Sequence, residues 1–151
     1  MPRSLQLGEL AALAGAEVAV SDWFDVGQGR IGAFAEATDD RQWIHVDPER
    51  CRRESPFGGP VAHGFLTLSL LPAMLESALA IGGMRMGVNY GLNKVRFPAP
   101  LPSGSRVRAR WTLAAVDPVA GGLQLTWDAS IEREGGDRPV CVAEFLIRCY
   151  V

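Results

Sequence analysis

The chain has 151 residues, of which 48% are hydrophobic and 21% charged, and its net charge is -2. This composition is typical of one soluble globular domain spanning residues 1–151, and the near-neutral charge argues against nucleic acid or an anionic membrane as partner. No apolar run reaches the roughly 18 residues that cross a bilayer, and the N-terminus lacks a signal pattern. The three cysteines have no CxxC spacing, so we predict a cytoplasmic protein without disulfides.

The N-terminal half reads as short helices with irregular connections. Residues 4–14 predict a helix capped by Ser4, residues 17–23 a short strand, and residues 28–39 an amphipathic helix. Asp47, Pro48 and Glu49 are an N-cap, a first-turn proline and a dipole-complementing acid, so a further helix is predicted over 48–53. The stretch between Asp40 and Asp47 is then expected to be a loop.

The C-terminal half changes texture from helix to strand. Residues 64–81 form the most apolar stretch and predict a buried helix that Pro72 kinks and Gly82-Gly83 ends. Four strand-length segments follow, separated by proline and glycine turns, and they predict an antiparallel meander of about four strands: 84–97, 105–116, 123–134 and 140–151. We therefore expect an α+β fold with the sheet wrapped around the helix.

Asp40 and His45 are the most informative pair for function. In a continuous helix, residues five apart lie about 140° apart, so the two side chains converge only if the backbone leaves the helix after Asp40. A carboxylate and an imidazole on one ordered loop suit general acid–base chemistry on a bound water. The spacing alone leaves Asp39 as a competing partner, and a loop histidine bonded to a capping acid as the alternative.

Two further segments carry candidate site residues. His63 precedes the apolar helix and is interpreted chiefly as a brace for the preceding loop, whereas Gly64 offers a helix N–H that a substrate carbonyl can approach closely. Lys94 and Arg96 lie on a predicted strand that faces either solvent or a phosphate-bearing ligand. Phosphate-cradling glycine loops, a serine-nucleophile elbow and metal-ligand spacings are missing, so no metal site is predicted.

Three blocks of this sequence, residues 34–48, 56–66 and 89–100, together resemble the MaoC-like dehydratases, or (R)-specific enoyl-CoA hydratases (hydratase 2), and most closely their NodN-like branch. The resemblance implies a hot-dog fold and selects Asp40, with His45, as the catalytic pair. It also implies that the backbone N–H of Gly64 is the oxyanion donor. Gln42 stands where many members have a substrate-positioning asparagine.

The resemblance further implies hydration of a trans-2-enoyl-CoA to a (3R)-hydroxyacyl-CoA in fatty acid metabolism, by a homodimer. Coenzyme A is then part of the substrate, and no separate cofactor is expected. Substrate contacts are expected from a second group of side chains: Gln42, His63, Lys94 and Arg96. The alternatives are a hot-dog acyl-CoA thioesterase, and a non-catalytic acyl-CoA-binding protein or one subunit of a heterodimeric dehydratase.

Overall fold

A computed structural model describes residues 1–151, and its main feature is an antiparallel sheet wrapped around a broken central helix. The strands are β1 (Arg3–Gln6), β2 (Glu17–Val20), β3 (Phe24–Val26), β4 (Leu79–Gly82), β5 (Met86–Arg96), β6 (Ser105–Val119), β7 (Gly122–Arg133) and β8 (Pro139–Tyr150). The helices are α1 (Gln28–Thr38), α2 (Trp43–Val46), α3 (Pro48–Glu54), α4 (Gly64–Ser69) and α5 (Leu71–Ala78). The predicted α+β hot-dog arrangement is confirmed.

The main sheet has the order β2-β6-β7-β8-β5, and β3 also pairs with β6. Alternation along β6 buries Val107, Ala109, Trp111 and Leu113 against the helices and turns the intervening residues outward. Trp111 packs edge-on against Trp127 of β7, with ring centroids 5.9 Å apart. The sheet therefore has one apolar inner face, which α4 and α5 cover.

The prediction of a four-strand meander is wrong for its first strand. β5 does not pair with β6, the next strand in sequence, but lies at the far edge beside β8. The segment between β5 and β6 contains Pro98, Pro100 and Pro102. Proline has no backbone N–H, so this segment cannot close a tight hairpin, and it leads the chain across the molecule.

The predicted single helix over 64–81 is interrupted and shorter. Leu70 makes a tight turn to the carbonyl of Thr67 (3.2 Å), and α5 begins at Leu71 with Pro72 in its first turn. Pro72 cannot donate to the carbonyl four residues earlier, which explains the break in the ladder. After Ala78 the backbone becomes extended, because residues 79–82 pair in parallel with β1.

Three predictions for the N-terminal half also need correction. Residues 3–6 form strand β1, and a 3-10 helix over Leu7–Leu13 replaces the predicted α-helix. Its entry is stabilised by the backbone N–H of Gln6, which donates to Glu9 (2.6 Å), and not by Ser4. The predicted strand over 17–23 is shorter, because β2 ends at Val20 and the separate strand β3 begins only at Phe24. The predicted helix over 48–53 is confirmed, as α3, with Asp47 accepting from the backbone N–H of Arg50 (3.0 Å).

Candidate active site

Asp40 follows a residue in an unusual backbone conformation. Asp39 ends α1 with φ 62° and is the single non-glycine residue of positive φ. A left-handed residue turns the chain sharply out of the helix, and aspartate tolerates this conformation better than most side chains. The Asp39 carboxylate is bound by Arg41 at 2.7 Å on the exposed surface. Asp39 is therefore paired with Arg41, and Asp40 is the acid that lies beside the histidines.

His45 lies on the four-residue helix α2, inside the stretch that was predicted as loop. Its ring is buried, with 7% of the residue exposed, and Nδ1 lies 2.6 Å from the carbonyl oxygen of Val61. A carbonyl only accepts hydrogen bonds, so Nδ1 carries the proton and neutral His45 has its lone pair on Nε2. Gln28 of α1 donates to the His45 carbonyl at 2.7 Å. His45 is thus held from both sides in the tautomer that a general base needs.

Cys51 of α3 contacts the backbone of α2. Its thiol lies 3.4 Å from the carbonyl oxygen of Trp43 and 3.5 Å from that of Ile44. Burial raises the pKa of the Cys51 thiol, so the group stays protonated and can donate to these carbonyls. All three cysteines, Cys51, Cys141 and Cys149, are buried thiols.

His63 contacts both members of the predicted catalytic pair. Its Nε2 donates to the backbone carbonyl of Asp40 at 2.9 Å, and its ring stacks on that of His45 with centroids 3.8 Å apart and planes 22° apart. Phe34 also packs against the His63 ring, at 4.9 Å between centroids. Only 2% of His63 is exposed, so its predicted substrate contact stays a prediction, and the contacts observed are with neighbouring site residues.

The side chains of Asp40, His45 and His63 bring one polar atom each to within 4.8 Å of one another. A metal ion binds an imidazole nitrogen at about 2 Å and in the plane of the ring. The rings of His45 and His63 are stacked and nearly parallel, so one ion could not lie in the planes of both rings at that distance. A water suits the spacing better, because it can bond two acceptors at about 2.8 Å each. The arrangement favours a bound water over a metal ion.

Gly64 is the first residue of α4, so its N–H has no acceptor within the helix. The entry to α4 is formed by the carbonyl of His63, which accepts from the backbone N–H groups of Leu66 (3.1 Å) and Thr67 (3.2 Å). A groove of about 320 Å³ runs past Gly64, with Phe57, Thr67 and Phe97 among its lining residues. Phe97 lies so close that a Cβ on Gly64 would be 2.9 Å from its ring. Gly64 thus lines a largely apolar groove, and its N–H has no acceptor within the helix.

Lys94 and Arg96 lie apart from this cluster. They line a groove on the outer face of the sheet together with Arg110, Asp128 and Glu144. Arg110 alternates with the inward-facing Ala109 and Trp111, so this face points away from the helices. The structure does not bring Lys94 or Arg96 to Asp40 or His45, and their role in substrate binding stays a prediction.

Gln42 does lie near the pair, because it is the exposed N-cap residue of α2 and its carbonyl accepts from the His45 N–H at 3.0 Å. Its side chain makes no capping hydrogen bond. Sequence reasoning missed Gln28, Cys51 and the carbonyl of Val61. Only Cys51 and Gln28 could carry a sequence signal at all, since a backbone carbonyl is common to every residue.

Comparisons with known proteins agree with this fold and show the family. Residues 9–126 match the family model described as MaoC like domain. The chain is 49% identical over 143 residues to 3-hydroxyacyl-thioester dehydratase Z of Mycobacterium tuberculosis (strain ATCC 25618 / H37Rv), covering 94% of each chain. It is 46% identical over 144 residues to Nodulation protein N of Rhizobium leguminosarum bv. viciae, covering 94% of this chain and 89% of the relative. The solved (R)-hydratase from A. caviae has the same fold, with a TM-score of 0.71 at 21% identity over 89% of this chain and 94% of that one.

Proposed function

The chain belongs to the MaoC-like family of hydro-lyases, and from that premise we propose that it is an (R)-specific 2-enoyl-CoA hydratase. It adds water to a trans-2-enoyl-CoA and releases the (3R)-hydroxyacyl-CoA. The observation that carries the proposal is the pairing of Asp40 with His45 in the tautomer that leaves Nε2 free to accept a proton.

The proposed chemistry begins with a water held between the Asp40 carboxylate and His45 Nε2. The pair removes one proton from this water as its oxygen bonds to C3 of the enoyl thioester, and the electron pair of the double bond moves toward the thioester oxygen. The pair then returns a proton to C2 on the same face, which balances the addition. In both steps the proton is moved by Asp40 and His45 acting together on the same water.

Gly64 supplies the proposed oxyanion contact. Negative charge develops on the thioester oxygen as the water adds, and the unpaired Gly64 N–H is the donor proposed to bind it. One such donor is worth roughly 3–4 kcal/mol of transition-state stabilisation. No metal or separate cofactor is proposed, and coenzyme A enters as part of the substrate.

The acyl chain is proposed to lie beside the central helices. A cleft of about 640 Å³ runs along α5 toward β5 and β8, lined largely by apolar side chains that include Pro72, Leu75, Ile81 and Ile147. A smaller hollow of about 280 Å³ shares Pro72 and Asn89 with it and continues toward Leu68. Apolar surface of this extent suits a hydrocarbon chain.

A second copy of this chain is the proposed partner. β5 is an edge strand with exposed large apolar side chains, and Tyr90 is 55% exposed. An unpaired, apolar edge is a surface that proteins usually cover, and pairing with a second copy would cover it. We propose a homodimer joined along β5.

No helix of the protein has the length and apolar character required to cross a membrane.

Product analysis separates this function from its alternatives. Purified protein is given the (3R) and (3S) enantiomers of 3-hydroxybutyryl-CoA, and the enoyl chromophore and free thiol are measured together. A hydratase running in reverse forms the chromophore from the (3R) enantiomer only and releases no thiol. Release of thiol would identify a thioesterase. Binding of either ligand with neither product would support a binding module or a subunit that needs a different partner.

A further inference from the structure

His63 is placed where it can organise the whole site, although the proposed chemistry assigns it no step. Its Nε2–H is bonded to the carbonyl of Asp40, its ring is stacked on His45, and its own carbonyl caps the helix that begins at Gly64. A single buried residue thus contacts, or directly precedes, each of the three groups in the proposed mechanism.

Fold stability alone does not explain a histidine at this position. His63 Nδ1 is buried and has no hydrogen-bond partner. An unpaired buried polar atom destabilises a fold, and a phenylalanine would fill a similar space between Phe34 and His45 without it. What phenylalanine cannot provide is the N–H that holds the Asp40 carbonyl. The hydrogen bond that His63 donates therefore points to a requirement of the site.

We propose that His63 is a positioning residue that holds Asp40 and His45 in their relative positions; the inference rests on the proposed hydratase function. The bond from Nε2 fixes the backbone just after the left-handed turn at Asp39, where the chain leaves α1. The stacked ring covers one face of the His45 imidazole and limits its rotation. Because rate depends steeply on the placement of reacting groups, loss of either contact lowers turnover more than substrate binding.

Variants at residue 63 test this role against a purely structural one. His63→Phe keeps an aromatic ring on His45 but removes the donor to Asp40, and His63→Gln keeps a donor but removes the ring. We expect kcat to fall at least about ten-fold in each and KM to stay within about two-fold, because the substrate itself is not touched. The melting temperature of His63→Phe should stay close to that of the wild type, because the Asp40 carbonyl loses a donor while the unpaired buried Nδ1 is removed. Phe34→Leu is the packing control, since Phe34 packs against the His63 ring but takes no part in the hydrogen bond to Asp40 or in the stack on His45.

Wild-type kcat in His63→Phe would overturn the proposal, and so would a raised KM with unchanged kcat, which would make His63 a substrate contact.

Nitrogen NMR of the imidazoles provides a readout that does not depend on turnover. The chain has two histidines, and the hydrogen bonds require opposite neutral tautomers: Nδ1–H for His45 and Nε2–H for His63. A wild-type protein with these tautomers but no hydratase activity would refute the proposed function and leave the geometry intact. An Nδ1–H tautomer at His63 would refute the positioning role.

Discussion

The hydrogen bond between His45 and Val61 allows the structural and chemical roles of His45 to be separated with two substitutions. The amide nitrogen of His45→Asn occupies the position of Nδ1 and can still donate to the Val61 carbonyl, which lies 2.6 Å from Nδ1 in the wild type. The longer side chain of His45→Gln places its amide near Nε2 and leaves that buried carbonyl without a donor. Such a loss costs about 1–3 kcal/mol, which corresponds to roughly 2–12 °C in the melting temperature of a domain of this size.

Both variants lose the Nε2 lone pair, so both should lose hydration activity by about 100- to 10,000-fold. The assay is thermal unfolding of the two proteins beside the rate of absorbance loss with crotonyl-CoA. We expect His45→Asn to unfold close to the wild type and His45→Gln at a clearly lower temperature. Equal melting temperatures, or substantial activity in His45→Asn, would refute the assignment of the proton to Nδ1 and of the base to Nε2.

Three further predictions follow from other contacts. Gly64→Ala brings a methyl group within 2.9 Å of the Phe97 ring, and we expect a loss of about 1–2 kcal/mol in denaturant unfolding that Phe97→Ala partly relieves in a double-mutant cycle; simple additivity would contradict this. Burial raises the pKa of Cys141 to about 11 from 9.0. The thiol therefore ionises in the unfolded chain at a lower pH than in the folded protein, and the stability it contributes below pH 9 is lost as the pH rises toward 11. Between pH 8 and pH 10.5 the free energy of unfolding should fall less in Cys141→Ala than in the wild type. Leu92→Lys places a charge on the exposed edge strand β5 and should shift light-scattering mass from dimer to monomer; an unchanged dimer would exclude β5 as the interface.

Local signals in the sequence were sufficient for several elements. The helix α3 begins where Asp47 and Pro48 predict it, because a cap and a first-turn proline act within four residues. The inward alternation of β6 is equally local, since each side chain's face is set by its place in the strand. Both features depend on residues that are close in the sequence, so they can be predicted without tertiary contacts.

What the sequence could not supply depends on contacts between distant residues. The pairing of β5 with β8, and of β1 with β4, joins segments far apart in the chain. The stack of His63 on His45 likewise requires the chain between them to fold back. The distance between the two histidines in the sequence does not predict this contact. The left-handed turn at Asp39, which separates the roles of Asp39 and Asp40, has no unique sequence signature because aspartate rarely adopts it.

The most direct test of the central claim is the rate at which the protein removes the enoyl chromophore of crotonyl-CoA or a longer trans-2-enoyl-CoA, compared with Asp40→Asn. Asp39→Asn is the matched control, because it alters the neighbouring acid, whose carboxylate is bound to Arg41 outside the site. We predict turnover to a (3R)-hydroxyacyl-CoA by the wild type and Asp39→Asn, and a loss of at least about 100-fold in Asp40→Asn. Equal activity in Asp40→Asn and the wild type, or no turnover by the folded wild-type protein, would contradict the account.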